Sequence, residues 1–198
     1  MCRDLVTPFI PAAVEQPAKG LLVFAWSILL ALPVVPGTAL SQEEDVAHGA
    51  ELLAPLKKEL KQALMAGMRN GPLSAISICK DEAPAIAASL SVDGIEIGRT
   101  SHRLRNPANS APNWVDLILE KYLGEESDRA PTVVSLENNR QGYVEPIVVA
   151  PLCLACHGKT LAPDVSAHIS EAYAEDEATG FDVGDLRGVY WVEYPAAN

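Results

Sequence analysis

Methionine is scarce in this chain and absent from about its last two thirds. The 198 residues include three methionines, at positions 1, 65 and 68. Cysteine is also sparse. The chain has four cysteines, and of these only Cys153 and Cys156 stand close together in sequence. Structural zinc sites are usually built from two such pairs, and the second pair is missing. Any metal site built on these cysteines must therefore take its other ligands from elsewhere.

Positive charge is in short supply as well. The chain carries 15 Lys and Arg against 26 Asp and Glu, a formal net charge of −11 at pH 7. Such a surface repels phosphate backbones, so nucleic-acid binding is not expected. The apolar share of 48% is that of an ordinary globular protein. No Ser–His–Asp set, phosphate loop or pair of catalytic carboxylates stands out in the sequence.

The first 41 residues differ in composition from the rest. Residues 20–35, GLLVFAWSILLALPVV, form an uncharged run after Lys19, and small residues follow it. The run is shorter than the ~20 residues that a spanning helix needs. It predicts a cleaved export signal over residues 1–41, with an uncleaved membrane anchor as the alternative. The mature chain, residues 42–198, is then a single exported or periplasmic domain with an odd number of cysteines.

The hydrophobic periodicity of the mature chain predicts an α+β fold. Leucines at three- and four-residue spacing over 42–69 predict a long N-terminal helix, with a leading turn divided off at Pro55. Residues 73–90 suit two short helices broken at Pro84. The remaining segments are predicted as a strand at 94–107, a helix at 112–124, two strands around the turn ENNRQG within 132–151, a helix at 165–176 and a closing strand at 185–195.

The stretch PLCLACHGKT, residues 151–160, contains the most specific motif. Cys-x-x-Cys-His is the signature of c-type haem attachment. Cys153 and Cys156, one helical turn apart, could bond one porphyrin, and His157 could then bind the iron from the proximal side. A zinc half-site and a redox-active dithiol are the alternatives. The motif lies late in the chain with no methionine after it, which disfavours the ordinary cytochrome c folds.

The second axial ligand has several candidates. Cys79 lies on an apolar helical face in AISICK, and thiolate is a known ligand of haem iron. The alternative for such a residue is a buried structural cysteine. An open site is a further alternative, and the rival ligands are Met65, Met68, His102 and His168.

Basic residues near the predicted strand at 94–107 are candidates for the haem propionates. Arg99 and Arg105 are the preferred pair, because guanidinium groups bind carboxylates in a fixed fork. Arg187 and Lys159 are weaker candidates. The acidic cluster of Glu171, Glu175, Asp176 and Glu177 is interpreted as solvated surface, and the aromatic residues Trp114, Tyr143, Tyr190 and Trp191 as packing.

Four blocks of the sequence together resemble the exported PAS-like c-type haem domain family. These blocks are AISICKDEAPAIA, GRTSHRLRNPANSAPNW, EPIVVAPLCLACHG and ATGFDVGDLRGVYWVEYP. The resemblance covers about residues 60–195 and implies a PAS-like antiparallel sheet flanked by helices. It also implies one covalent haem c held through Cys153 and Cys156, with His157 as the proximal and Cys79 as the distal iron ligand.

These observations favour electron transfer or redox sensing with a protein partner. With both axial positions filled, catalysis would require a ligand to leave, so an enzyme is not expected. The alternatives are a gas or small-molecule sensor in which Cys79 is displaced and, with less support, a peroxidase-type enzyme.

Overall fold

A computed structural model of the chain describes residues 37–125 and 129–196. Most of the predicted export signal lies outside these residues, so that signal and the domain boundary after it stay predictions. The helices are α1 (Gly37–Met68), α2 (Pro72–Leu90), α3 (Asn113–Gly124), α4 (Leu154–His157) and α5 (Pro163–Ala172), with short 3₁₀ turns at Pro107–Asn109 and Pro151–Cys153. The strands are β1 (Glu96–Thr100), β2 (Thr132–Leu136), β3 (Arg140–Val148) and β4 (Leu186–Pro195).

The four strands form one antiparallel sheet in the order β1-β4-β3-β2. The α+β fold with a long N-terminal helix is therefore confirmed, and it is consistent with a PAS-like arrangement. The hairpin between β2 and β3 falls at the predicted turn. There Asn138 and Asn139 take φ values of 57° and 54°, a region that asparagine tolerates better than most side chains.

Each face of the sheet has its own helical cover. On one face α1 and α2 pack their leucines and alanines against Ile97, Tyr143 and Val192. On the other face α3 packs Val115 and its neighbours against Val144, Leu186 and Val189. Alternate residues of β3 and β4 thus serve two separate cores, as the two-residue period of a strand requires.

Two predicted helix breaks are wrong. Pro55 lies inside α1 and Pro84 inside α2, and both helices continue through them. A proline in a helix interior costs about 3 kcal/mol. In α1, Leu53, Leu56 and Leu60 are all buried, and each buried leucine contributes about 1.5–3 kcal/mol. Burial along the same face of α1 therefore outweighs the cost of the proline.

The strand predicted over 94–107 is shorter in the structure. β1 ends at Thr100, and Asn106 then caps the 3₁₀ turn at Pro107 by accepting a hydrogen bond from the Ala108 N–H at 3.0 Å. This early end brings residues 101–106 to the end of the sheet, beside the helical turn at 154–157. Among the described residues, no helix has the length and apolarity needed to cross a membrane.

Candidate functional site

A cavity of about 240 Å³ lies between α2, the strands β1 and β4, and the segment Pro151–His157. Most of its wall is apolar and includes Leu64, Ile76, Leu104, Ile147 and Leu152. Thiol, imidazole and guanidinium groups interrupt this wall. The cavity therefore provides a concave, mostly apolar site with a few polar groups, the usual character of a cofactor pocket.

The Cys-x-x-Cys-His segment forms one continuous helical stretch at this cavity. The 3₁₀ turn Pro151–Cys153 runs directly into α4, and Cys153, Cys156 and His157 all line the cavity. Gly158 ends the stretch, and a Cβ there would lie 2.7 Å from the Leu154 carbonyl oxygen. The local sequence therefore places both thiols and the imidazole on the same wall.

The imidazole of His157 has a fixed orientation. Its Nδ1 lies 2.6 Å from the carbonyl oxygen of Ala178. Because a carbonyl can only accept, Nδ1 carries the hydrogen and Nε2 keeps its lone pair. Burial, reinforced by Arg187 and Arg105, lowers the pKa of His157 from 6.5 to about 3. The ring is therefore neutral at physiological pH, the form that binds metals.

Cys79 reaches the same cavity from a different element, α2. Burial raises the pKa of the Cys79 thiol, and Arg99 and Arg105 oppose this effect. Burial also raises the pKa of Cys156. Within the described chain Cys79, Cys153 and Cys156 are all free thiols. The structure thus places all four residues that the sequence singled out as candidate haem ligands and attachment points in the wall of one cavity.

The rival ligands occupy different places. Met68 lines the cavity, so it stays a geometric competitor of Cys79. Met65 is 42% exposed on the outer side of α1. His102 packs its ring against Phe181 with centroids 5.8 Å apart, and His168 lies 3.2 Å from the Ser77 hydroxyl.

The two arginines predicted for the haem propionates differ from each other. Both line the cavity, but the guanidinium of Arg99 has no hydrogen bond or ion pair with any described residue, whereas that of Arg105 has several partners. Arg105 Nε donates to Asp176 Oδ1 at 3.0 Å, and Nη2 donates to the Cys156 carbonyl at 2.6 Å. Most of the donors of Arg105 are therefore already engaged with the protein.

Arg187, the weaker sequence candidate, is also at the cavity. Its Nη1 donates to the Arg103 carbonyl at 3.2 Å, and its Nε is buried without a partner among the described residues. Burial, with repulsion from Arg105 and Arg99, lowers the pKa of Arg187 to about 10. Lys159, in contrast, forms an exposed ion pair with Asp182. Arg187 is thus a partly buried cation whose Nε has no anionic partner in the part of the chain that the structure describes.

The interpretation of Asp176 as solvated surface is wrong. Its side chain is only 9% exposed and forms an ion pair with Arg105, which is 11% exposed. Nothing in the sequence distinguishes Asp176 from the carboxylates beside it, and its partner is 71 residues away. Tyr173 and Tyr190 also line the cavity, while Tyr143 is a core residue.

Comparison with known proteins identifies the family. The family described as "Tll0287-like: Tll0287" matches residues 39–195. The chain belongs to the Tll0287-like family. Among solved structures, the crystal structure of the cyanobacterial heme-protein Tll0287 matches with a TM-score of 0.54 and 22% sequence identity. The match covers 83% of this chain and 99% of that one, and it supports the fold.

No curated protein matches this chain. The family assignment is consistent with the expected PAS-like haem domain.

Within the described residues, no group of three or more His, Cys, Asp or Glu side chains is arranged to hold a metal ion. The thiols and the imidazole are therefore spread along a cavity wall rather than gathered around one point.

Proposed function

We propose that the cavity binds one haem, attached covalently through Cys153 and Cys156. The observation that carries this proposal is the arrangement of one cavity wall, where both thiols and the Nε2 lone pair of His157 come from a single helical stretch. The heme-protein Tll0287, which matches this chain in fold, supports the same cofactor class. Zinc suits the site less well, because its ligands would have to converge on one point.

The residues around the cavity fit a haem with carboxylate groups. The apolar wall suits the macrocycle, and Arg187 Nε and Arg99 offer donors for the propionates. An anion at Arg187 would remove the cost of leaving a buried guanidinium nitrogen without an acceptor. Arg105 is less suited to this role than the sequence indicated, because Asp176 and two carbonyl groups already engage it.

In the proposed site His157 is the proximal iron ligand and Cys79 the distal one. The hydrogen bond from His157 Nδ1 to a carbonyl is the usual support for a metal-binding imidazole. A thiolate ligand favours ferric iron, so we expect a low reduction potential. With two protein ligands on the iron, electron transfer or redox sensing with a protein partner is the preferred role, and export to the periplasm is part of the proposal.

A gas or small-molecule sensor is the second candidate. Burial raises the pKa of the Cys79 thiol, and a protonated Cys79 would be a weaker iron ligand than a thiolate. A small ligand could then take its place. A peroxidase-type enzyme would need a distal histidine with an arginine. It has less support, since the ring of His102 packs against Phe181.

Covalent attachment is tested by expressing the full chain in a host that matures c-type haem. The wild type should give a haem-stained band on a denaturing gel, and the double variant Cys153→Ser/Cys156→Ser should not. Cys79→Ser is the matched control and should keep the band. A wild-type protein that releases its haem on denaturation would rule out the thioether bonds.

The distal ligand is tested by absorption and EPR spectra of Cys79→Ser beside Met68→Leu. We expect Cys79→Ser to lose the low-spin signal of the wild type and Met68→Leu to keep it. The reverse outcome would assign the ligand to Met68. Ready binding of carbon monoxide by the reduced wild type at neutral pH would favour the sensor, and steady peroxide turnover would favour the enzyme.

A further inference from the structure

The carbonyl oxygen of Ala178 lies within reach of two donors. His157 Nδ1 is 2.6 Å from it, and Arg105 Nη2 is 3.2 Å from it. A backbone carbonyl has two lone pairs and can accept both hydrogen bonds. The same Nη2 also donates to the carbonyl of Cys156 at 2.6 Å. Arg105 thus contacts both the peptide that leads into His157 and the acceptor of its ring N–H.

Arg105 is itself held in place by Asp176. Its Nε and Nη2 lie 3.0 Å from Oδ1 and 3.4 Å from Oδ2, and both side chains are almost fully buried. Asp176 Oδ1 also accepts from the backbone N–H of Ala178 at 2.9 Å. The planar fork of arginine matches this set of acceptors, and the single ammonium of lysine cannot reproduce it.

A second set of contacts fixes the neighbouring backbone independently of Arg105. The N–H of Gly180 donates to the Gly158 carbonyl and the N–H of Phe181 donates to the His157 carbonyl, both at 3.0 Å. These bonds hold the segments 157–158 and 180–181 side by side. Loss of Arg105 should therefore change the direction of the Ala178 carbonyl without separating the two segments.

We infer that Arg105, held by Asp176, is a positioning residue for His157. It directs the Ala178 carbonyl toward Nδ1–H, and so fixes the plane of the imidazole and strengthens this hydrogen bond. A stronger acceptor makes a metal-binding imidazole more basic. This inference rests on the proposed function for its consequence at iron, which is that Arg105 helps to keep the reduction potential low.

The test compares Arg105→Lys and Asp176→Asn with the control Arg140→Lys in the haem-loaded protein. In Arg105→Lys we expect the reduction equilibrium to shift about tenfold toward ferrous iron, or about 59 mV for one electron. The low-spin EPR signal should also split, because the ring no longer has a single orientation. The lysine keeps the charge, so an effect of charge alone would leave the potential unchanged.

Arg140→Lys disrupts a comparable half-buried pair, Arg140–Glu193, in the hairpin region of the sheet. It should change neither the potential nor the EPR signal. An unchanged potential together with a single EPR signal in both Arg105→Lys and Asp176→Asn would overturn the inference.

A second measurement uses the haem-free chain. The His157 Nδ1–H proton should exchange with solvent at least tenfold faster in Arg105→Lys and Asp176→Asn than in the wild type or Arg140→Lys, as measured by NMR. Asp176→Asn keeps the side-chain shape and decides the question if Arg105→Lys does not fold. A wild type that attaches no haem would refute the proposed function, and equal exchange rates would refute the inference.

Discussion

Both faces of the β-sheet are covered by helices, but the two faces enclose different interiors. Beneath α3 the contact between helix and sheet is a continuous apolar core that includes Val115, Tyr122, Val144 and Val189. Beneath α1 and α2 a similar core gives way to a cavity with three thiols and three arginines in its wall. Filled apolar volume stabilises a fold, whereas buried cations and unpaired donors reduce its stability. The core on the α3 face thus stabilises the fold, whereas the polar groups of the cavity on the other face lower its stability.

The largest effect is expected on the α3 face. Tyr122→Ala removes a fully buried ring and its hydroxyl, which lies 2.5 Å from the Ala130 carbonyl oxygen. The free energy of unfolding should fall by about 3–5 kcal/mol in a urea titration. Leu117→Ala, on the same helix but 70% exposed, should stay within about 0.5 kcal/mol of the wild type. A loss for Tyr122→Ala as small as that of Leu117→Ala would contradict the comparison.

The next effect is the pH dependence of the cavity face in the haem-free chain. His157 has a pKa of about 3 in the folded protein and about 6.5 when unfolded. Between these values only the unfolded chain takes up the proton. The contribution of His157 to the free energy of unfolding is therefore fully present above pH 6.5, and it decreases by about 1.4 kcal/mol for each pH unit below it.

His157→Gln should remove most of this slope in urea titrations between pH 6.5 and 4.5. A smaller slope should remain, because burial, Arg103 and Arg187 also lower the pKa of His102. If His157→Gln shows the same slope as the wild type, the imidazole is not buried in its neutral form.

A smaller effect tests how tightly α1 packs against the sheet at a position outside the cavity. A Cβ at Gly49 would lie 2.4 Å from Cγ of Tyr143, so Gly49→Ala should cost about 1–3 kcal/mol through overpacking. Gly124→Ala, at the end of α3, meets no atom within 4 Å. It should be neutral or stabilising in thermal unfolding. Equal results for the two variants would mean that α1 can move away from the sheet.

The smallest effect concerns the exposed ion pair between Lys159 and Asp182. Both side chains are well exposed, and such pairs contribute little because water screens them. Lys159→Gln should leave both unfolding and the haem spectra unchanged. A spectral change would mean that Lys159 contacts the cofactor, contrary to its position on the surface.

Most of the secondary structure could be predicted because it depends on local patterns. The periodicity of 42–69, the turn at Asn138 and Asn139, and the alternation of the closing strand all correspond to elements of the structure. The predicted breaks at Pro55 and Pro84 failed because the intrinsic cost of proline competes with burial that local sequence does not reveal. A proline indicates a helix end only where tertiary contacts are weak.

The sequence by itself determined the chemistry of one wall of the site. The spacing of Cys153, Cys156 and His157 places both thiols and the imidazole on one helical stretch, whatever the rest of the chain does. Only the tertiary structure decided that Cys79 reaches the same cavity and that Arg105 pairs with Asp176 rather than remaining available to a propionate. The physical reason is the range of the interactions. Contacts within a turn follow from backbone geometry, whereas a contact between residues 71 apart depends on how the sheet and helices pack.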